Sequence, residues 1–381
     1  MYKRILIISL SLVLLIAIAA GCGAQTTTVT STQQSTSVMT TTTTATTTVL
    51  TTSSTTAVKP IKLIFTDHEP AGSYWEKQVA GPYFAEIEKR TGGKVQIEQH
   101  YGGELVGLFD VYDAVLKGTV DIAKILPTMF ADKFPMDGIT IFQPVNIKTY
   151  RAGQAWLDLF NEFPEMQAQY NNTPLLGFTP MPCSGIYTTG KEINKWEDCQ
   201  GLKAPGAGPA PESRQKAVGI VPMSIPPPDN YMAFKTGTAD GISAAIQSLE
   251  DFGWTDVLPK CTLVNINGGP WSYVMNRATW ESLAPDVQQV FLDMMPELTR
   301  INDEVQYKLE KNALATFPTK YGTKYITLSQ AELDRWAAVD TPAMDAYLAE
   351  WVTGKGLPGD KLKSEFLRLH KLYAGEAYSF K

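Results

Sequence analysis

Few residues in this chain have the type and spacing that bond-making chemistry needs. Its 381 residues include 3 His and 4 Cys. His68, His100 and His370 lie far apart, and no Cys pair has the short spacing that a tetrahedral zinc site favours. A His-based triad therefore has few candidates. The sequence holds no Gly-x-Ser-x-Gly elbow, no His-Glu-x-x-His and no Gly-rich phosphate loop. The expectation is a protein without catalysis, metal or cofactor. Net charge is −6 and no basic block follows residue 4, which argues against nucleic acid and against an anionic membrane surface as main partners. Hydrophobic content of 44% and aromatic content of 10% suffice for a sizeable core.

The elements that must position any site begin after a leader. Lys3 and Arg4 precede an almost unbroken apolar run, Ile5–Ala20. Ala19-Ala20-Gly21-Cys22 follows and resembles the lipobox of bacterial lipoproteins, which implies a signal peptide over 1–21 and a lipid anchor on Cys22. The run is shorter than the roughly 20 residues a membrane span needs. Residues 22–59 are mostly Thr with almost no charge, a disordered tether that would hold the folded part off the membrane.

From Pro60 the pattern becomes globular. Ile61–Phe65 reads as a first strand. A helix carrying Trp75, Val79, Phe84 and Ile87 follows, kinked or restarted at Gly81-Pro82. Val95–His100 alternates as a second strand. Then comes a stretch that occurs twice: Tyr112–Asp121 (YDAVLKGTVD) and Tyr231–Asp240 (YMAFKTGTAD) share Tyr, Ala, Gly, Thr and Asp at the same five positions. Each copy reads as a helix end, with Gly118 or Gly237 as the left-handed cap, leading to the apolar run 122–126 or 242–246. Two such units imply two similar α/β lobes, the first a largely parallel wound sheet. Further strands are expected near 175–178, 186–188, 201–204, 262–266 and 272–276. The C-terminal part reads as helices over 285–311, 329–351 and 360–373, with Ser329 and Glu332 as a capping box.

Several stretches together resemble the solute-binding proteins of tripartite ATP-independent periplasmic (TRAP) transporters, the DctP-like family. Thr91-Gly92-Gly93-Lys94-Val95, Gly102-Gly103-Glu104-Leu105 and the first repeat are similar to their first lobe. Gly201-Leu202-Lys203, Gly219, Val221-Pro222, Tyr231, Gly237 and Asp240-Gly241 are similar to their second. Met275-Asn276-Arg277 with Trp280, Leu283 and Val287 resembles the stretch before their long helix. The resemblance implies a two-lobe, flytrap-like fold with long C-terminal helices. Lobe one would hold about 60–183 plus 265–300, and lobe two about 184–264 plus the C-terminal helices, together filling 60–381. It implies no catalysis, capture of a small organic solute outside the cytoplasmic membrane, and delivery to the permease subunits of a TRAP importer. A binding protein of an ABC importer or a membrane sensor is the alternative, and a lipid-anchored enzyme ranks below both.

Members of that family usually carry an Arg just after the Gly-Leu-Lys, which grips a ligand carboxylate. Here Ala204-Pro205-Gly206 follows, and the next Arg is Arg214. A second frequent Arg is replaced by Tyr187. The resemblance places the cleft lining at Glu69, Tyr74 and Trp75; at Met129 and Phe130; at Tyr187; at Gln247; at Trp254; and at Trp271 with Tyr273. This set is mainly aromatic, with Glu69 its only charge, and points to a ligand that is neutral or zwitterionic, or an anion held by backbone donors where Pro205–Pro211 enters a helix. A simple carboxylate would need Arg214 or that helix start in place of the missing Arg. Trp75 and Glu69 also fit a core position and a solvated loop. Cys183 and Cys199 leave open a disulfide or, at Cys199, a buried thiol, and Cys261 reads as a core thiol.

Overall fold

The computed structural model describes residues 59–374, apart from 150, 182–184, 207, 267 and 270. The leader, Cys22, the tether up to residue 58 and Cys183 lie outside the described residues. Eleven strands follow in chain order: β1 (Ile61–Thr66), β2 (Val95–His100), β3 (Ile122–Ile125), β4 (Leu175–Phe178), β5 (Gly185–Thr188), β6 (Lys203–Pro205), β7 (Val221–Met223), β8 (Gly241–Ala244), β9 (Lys260–Leu263), β10 (Ser272–Met275) and β11 (Lys324–Thr327).

They form two main sheets. The first has the order β2-β1-β3-β10-β4, the second β11-β9-β5-β8, and β6 pairs β7 in a separate ribbon. β1 is parallel to β2 and β3, as strand–helix–strand order dictates. β10 runs antiparallel between β3 and β4. The first sheet is therefore mixed, because the chain returns from the second lobe to fill the gap between β3 and β4.

The repeated stretch does the same work in both lobes. The helices Val111–Lys117 and Asn230–Thr236 end on Gly118 (φ 72°) and Gly237 (φ 75°), left-handed positions that cost glycine little. Asp121 then donates its N–H to Ile64 O (3.0 Å) and accepts the Ile64 N–H on Oδ2 (2.8 Å). Asp240 repeats this on Lys203, at 2.7 and 2.8 Å. Each Asp thus zips the incoming chain to its neighbouring strand and satisfies a backbone donor there.

The expected break at Gly81-Pro82 is a single π turn, Glu76–Ala80, before the helix Gly81–Arg90. Pro82 has no N–H to give, and the Gly81 N–H reaches Glu76 O. The long helix runs Pro285–Tyr321, 37 residues, past the expected end at 311 and through Pro296 and Pro318 to the cap Gly322. Its length is about 55 Å. Val287, Phe291, Met294 and Leu298 pack under the first sheet with Phe65 and Tyr273. Ala313 and Phe317 pack under the second with Tyr187 and Trp254. One helix therefore spans both lobes.

The C-terminal helices do not stay with lobe two. Gln330–Tyr347 buries Trp336 in the second lobe but Ala343, Met344 and Tyr347 in the first. Gly359–Leu372 buries Leu362, Phe366 and Leu369 against Trp156 and the first sheet. The apolar stripe of a helix shows that it packs without showing on what. β11 falls between the expected helices, in a stretch to which the sequence assigns no element; four residues paired parallel to β9 carry too little alternation to stand out.

His370 is fully buried in this last helix, its Nδ1 3.0 Å from Phe366 O. Burial pushes its pKa down to about 4. The unfolded chain would take up the proton near pH 6.5, so this neutral imidazole contributes stability above that pH, and the contribution is lost as pH falls towards 4, about 3 kcal/mol in all. Urea unfolding at pH 7.5 and pH 4.5 should show a smaller pH difference for His370→Gln than for the natural chain. Equal differences would contradict the burial argument.

Candidate functional site

The floor of the cleft is a charge cluster built on two adjacent strands. β3 is apolar and buried apart from Lys124, whose side chain has no exposure. Such a lysine must find its counter-charge inside the protein. The loop after β1 supplies it. Lys124 Nζ lies 3.2 Å from Glu69 Oε1 and 3.6 Å from Asp67 Oδ2. It also stands 3.9 Å from the ring centroid of Trp75 and 5.0 Å from that of Trp271, a cation between two aromatic faces. Burial opposes ionisation of Asp67, but Lys124 and His68 outweigh it and hold the carboxyl below its usual range. His68 stacks on Trp271 with centroids 4.3 Å apart and places Nδ1 3.1 Å from Asp67 Oδ1.

Above this floor a cavity of about 170 Å³ opens between the two sheets. The first lobe lines it with His68, Glu69, Leu108, Phe109, Leu126 and Trp271, and the second with Pro211, Ile225, Asn230, Ser243, Phe252 and Trp254. Phe252 and Trp254 stack at 4.8 Å and make one apolar wall. No Arg or Lys lines the cavity among the described residues.

Of the ten residues expected to line a cleft, Glu69, Trp254 and Trp271 do so. Trp75 is core, its Nε1–H donating to Tyr273 Oη at 3.1 Å, and it touches the site only by covering Lys124. Tyr273 is fully buried among Phe65, Tyr83 and Phe84. Tyr187 is fully buried in the second core with Phe234 and Leu249. Its inward position follows from β5 lying between β8 and β9, where one face of the strand must be core. Phe130 packs on Tyr112 at 5.0 Å, and Gln247 bonds Gln306 of the long helix. Neither lines the cavity.

Met129 and Tyr74 mark places where the lobes touch. A Cβ on Gly208 would stand 2.6 Å from Met129 Cα and 2.5 Å from Thr128 O, so only glycine permits that approach, and its φ of +92° favours glycine as well. Tyr74 donates its N–H to Asp251 Oδ1 and its hydroxyl to Glu250 Oε2, both at 3.0 Å.

Both substitutes for the missing Arg fail. Arg214 is fully buried and spends its guanidinium on Asp340 (Nε to Oδ1 2.7 Å, Nη2 to Oδ2 2.8 Å) and on the carbonyls of Ile141, Gln143 and Asn265. It pins the second lobe to a crossing segment. The helix start offers little either. Pro209 and Pro211 have no N–H, and the Glu212 N–H is bonded to Gly208 O. Cys199 and Cys261 are buried thiols, and burial pushes Cys199 up to about 12.

Sequence reasoning missed Lys124, His68, Asn230, Ser243 and Phe252. Lys124 had a signal, as the one charge in the apolar run 122–126. His68 sits beside Glu69 in the same loop but was weighed only as a metal or triad residue.

The chain matches the family described as "Bacterial extracellular solute-binding protein, family 7", DctP, over residues 65–350. It is 27% identical over 265 residues to the "Monocarboxylate 2-oxoacid-binding periplasmic protein" of a Nostoc species, covering 64% of this chain and 68% of that one. Among solved structures it resembles a TRAP periplasmic solute-binding protein of Desulfovibrio salexigens, at TM-score 0.70 and 23% identity over 84% of this chain and 99% of that one. It also resembles a TRAP solute-binding protein of Rhodoferax ferrireducens in complex with copurified benzoate, at TM-score 0.72 and 18% identity over 82% and 98%. These structures share the fold.

Lys124 is the residue whose loss should cost most. Lys124→Met leaves Asp67 and Glu69 buried without their cation, and urea unfolding at pH 7.5 should show a loss of about 3–5 kcal/mol. A loss under about 1 kcal/mol would contradict the pairing.

Proposed function

Because this chain belongs to the bacterial extracellular solute-binding protein family 7, whose members capture small organic solutes outside the cytoplasmic membrane, we propose that its cleft takes a solute with an apolar, aromatic-sized body and a neutral or zwitterionic head. The solute then passes to the permease subunits of a TRAP importer. The chain acts by binding and release alone, tethered through a lipid on Cys22.

One observation carries the ligand class. The described cavity wall holds no Arg or Lys, and its floor sets one lysine against two carboxylates. With that lysine already paired, an incoming anion finds no free Lys or Arg among the described lining residues, whereas an uncharged or zwitterionic head does not need one. Trp271, Trp254 and Phe252 offer faces to the rest of the ligand. A monocarboxylate with an apolar body is the competing reading, favoured by the 2-oxoacid and benzoate named for relatives. It would require a donor other than Lys or Arg on the described wall, such as the His68 ring.

A thermal-shift screen of the full chain separates the two. A ligand at about 100 times its Kd adds about 2.7 kcal/mol. Zwitterionic and neutral aromatic compounds should raise the melting temperature, and four-carbon dicarboxylates should not. Hits confined to carboxylates would overturn the head-group reading. For any hit, Trp271→Ala should weaken binding at least tenfold, whereas Tyr187→Ala should act on stability through the core it fills.

A further inference from the structure

Two polar side chains of the second lobe face the cavity without the partners that burial demands. Asn230 is 3% exposed, and its Oδ1 has no hydrogen-bond partner among the described residues. Ser243 Oγ is buried and likewise unpartnered among them. Both line the cavity. A buried polar atom left unpaired is costly, and such atoms in native proteins need a reason. The ready structural reason for an Asn at a helix start is capping, but the N-cap of the helix Asn230–Thr236 is Asp229, and Asn230 is its first residue. The Asn230 Oδ1 accepts no bond from the described residues, so it is not spent on the helix.

We infer that Asn230 and Ser243, which line the same cavity as Glu69, form with it a subsite that reads the N–H donors of a protonated amine on the ligand. The inference rests on the zwitterionic reading of the cleft and names its recognition chemistry. Asn230 Oδ1 accepts one N–H, Ser243 Oγ accepts another, and the Glu69 carboxylate supplies the negative charge. Three acceptors suit the three hydrogens of an ammonium group. No proton has to move and no group has to change charge state for this to work. Lys124 fixes Glu69 from behind, at 3.2 Å, and keeps its carboxylate from collapsing away from the cavity. The aromatic wall of Phe252 and Trp254, on the same lobe as Asn230, takes the apolar body beside the head. An Arg in this position would repel an ammonium group, so the absence of the Arg and the presence of the amide belong to one specificity.

The test uses three probes with the full chain in calorimetric titration: phenylglycine, its N-trimethyl betaine and phenylacetate. The first two carry the same charges and differ in N–H donors. Phenylglycine should bind at least tenfold tighter than the betaine. Asn230→Ala should erase that preference, and Ser243→Ala should reduce it. The melting temperature of unliganded Asn230→Ala should be unchanged or raised, because an unpaired buried atom has been removed. Equal binding of phenylglycine and the betaine, or a preference that survives Asn230→Ala, overturns the subsite while leaving the zwitterion cleft in place. A lowered melting temperature for Asn230→Ala also overturns it, since Asn230 would then be holding the helix. Tightest binding of phenylacetate, or binding of none of the three, overturns the cleft reading and the subsite with it.

Discussion

Lys124 stands in β3 with apolar neighbours along the strand, and its charge is matched inside the protein by Asp67 and Glu69. Burying an ammonium this deeply is tolerable only with close counter-charges. That requirement fixes the loop after β1, because β1 pairs directly with β3 and its end brings both carboxylates beside Lys124. It fixes Trp75 and Trp271 as well, which close over the cation from two sides. His68 then stacks on Trp271 and leans on Asp67. The cleft floor thus already carries its own salt bridge, and its lysine is not free to receive an anionic ligand.

The second lobe meets this floor through a few fixed contacts. Gly208 lets backbone touch backbone beside Met129. Tyr74 reaches Asp251 and Glu250 on the far side. Arg214 ties the helix Pro209–Ala217 to the segment at 141–143 and to Asp340. The long helix runs through both cores and keeps them in register. The cavity between these contacts is lined from both lobes, so a ligand filling it would touch both at once.

Much of the frame was legible because backbone rules leave few choices. Gly118 and Gly237 needed left-handed φ, and the Asp that follows each needed a strand to bind, so the repeat predicted both lobes. Pro82 dictated a break, and the π turn is its form. The site was less legible. An aromatic side chain at the end of a strand fills core or lines a cleft with the same composition. Tyr187 and Tyr273 went inward because their strands lie inside sheets, a fact of pairing and not of local sequence. Asn230 gave no signal, since an Asn after Asp229 at a helix start reads as capping. Only its buried, unpartnered Oδ1 marks it out. The helix start at Pro209 looked like an anion site until its prolines were counted against its N–H groups.

The most direct measurement is native mass spectrometry of the chain purified from the cells that export it, followed by identification of the solute released on denaturation. A solute with an apolar body and a neutral or zwitterionic head is the expected result. A dicarboxylate, or any head of net negative charge, would contradict it and would mean that the lysine beneath the floor changes partners when ligand arrives.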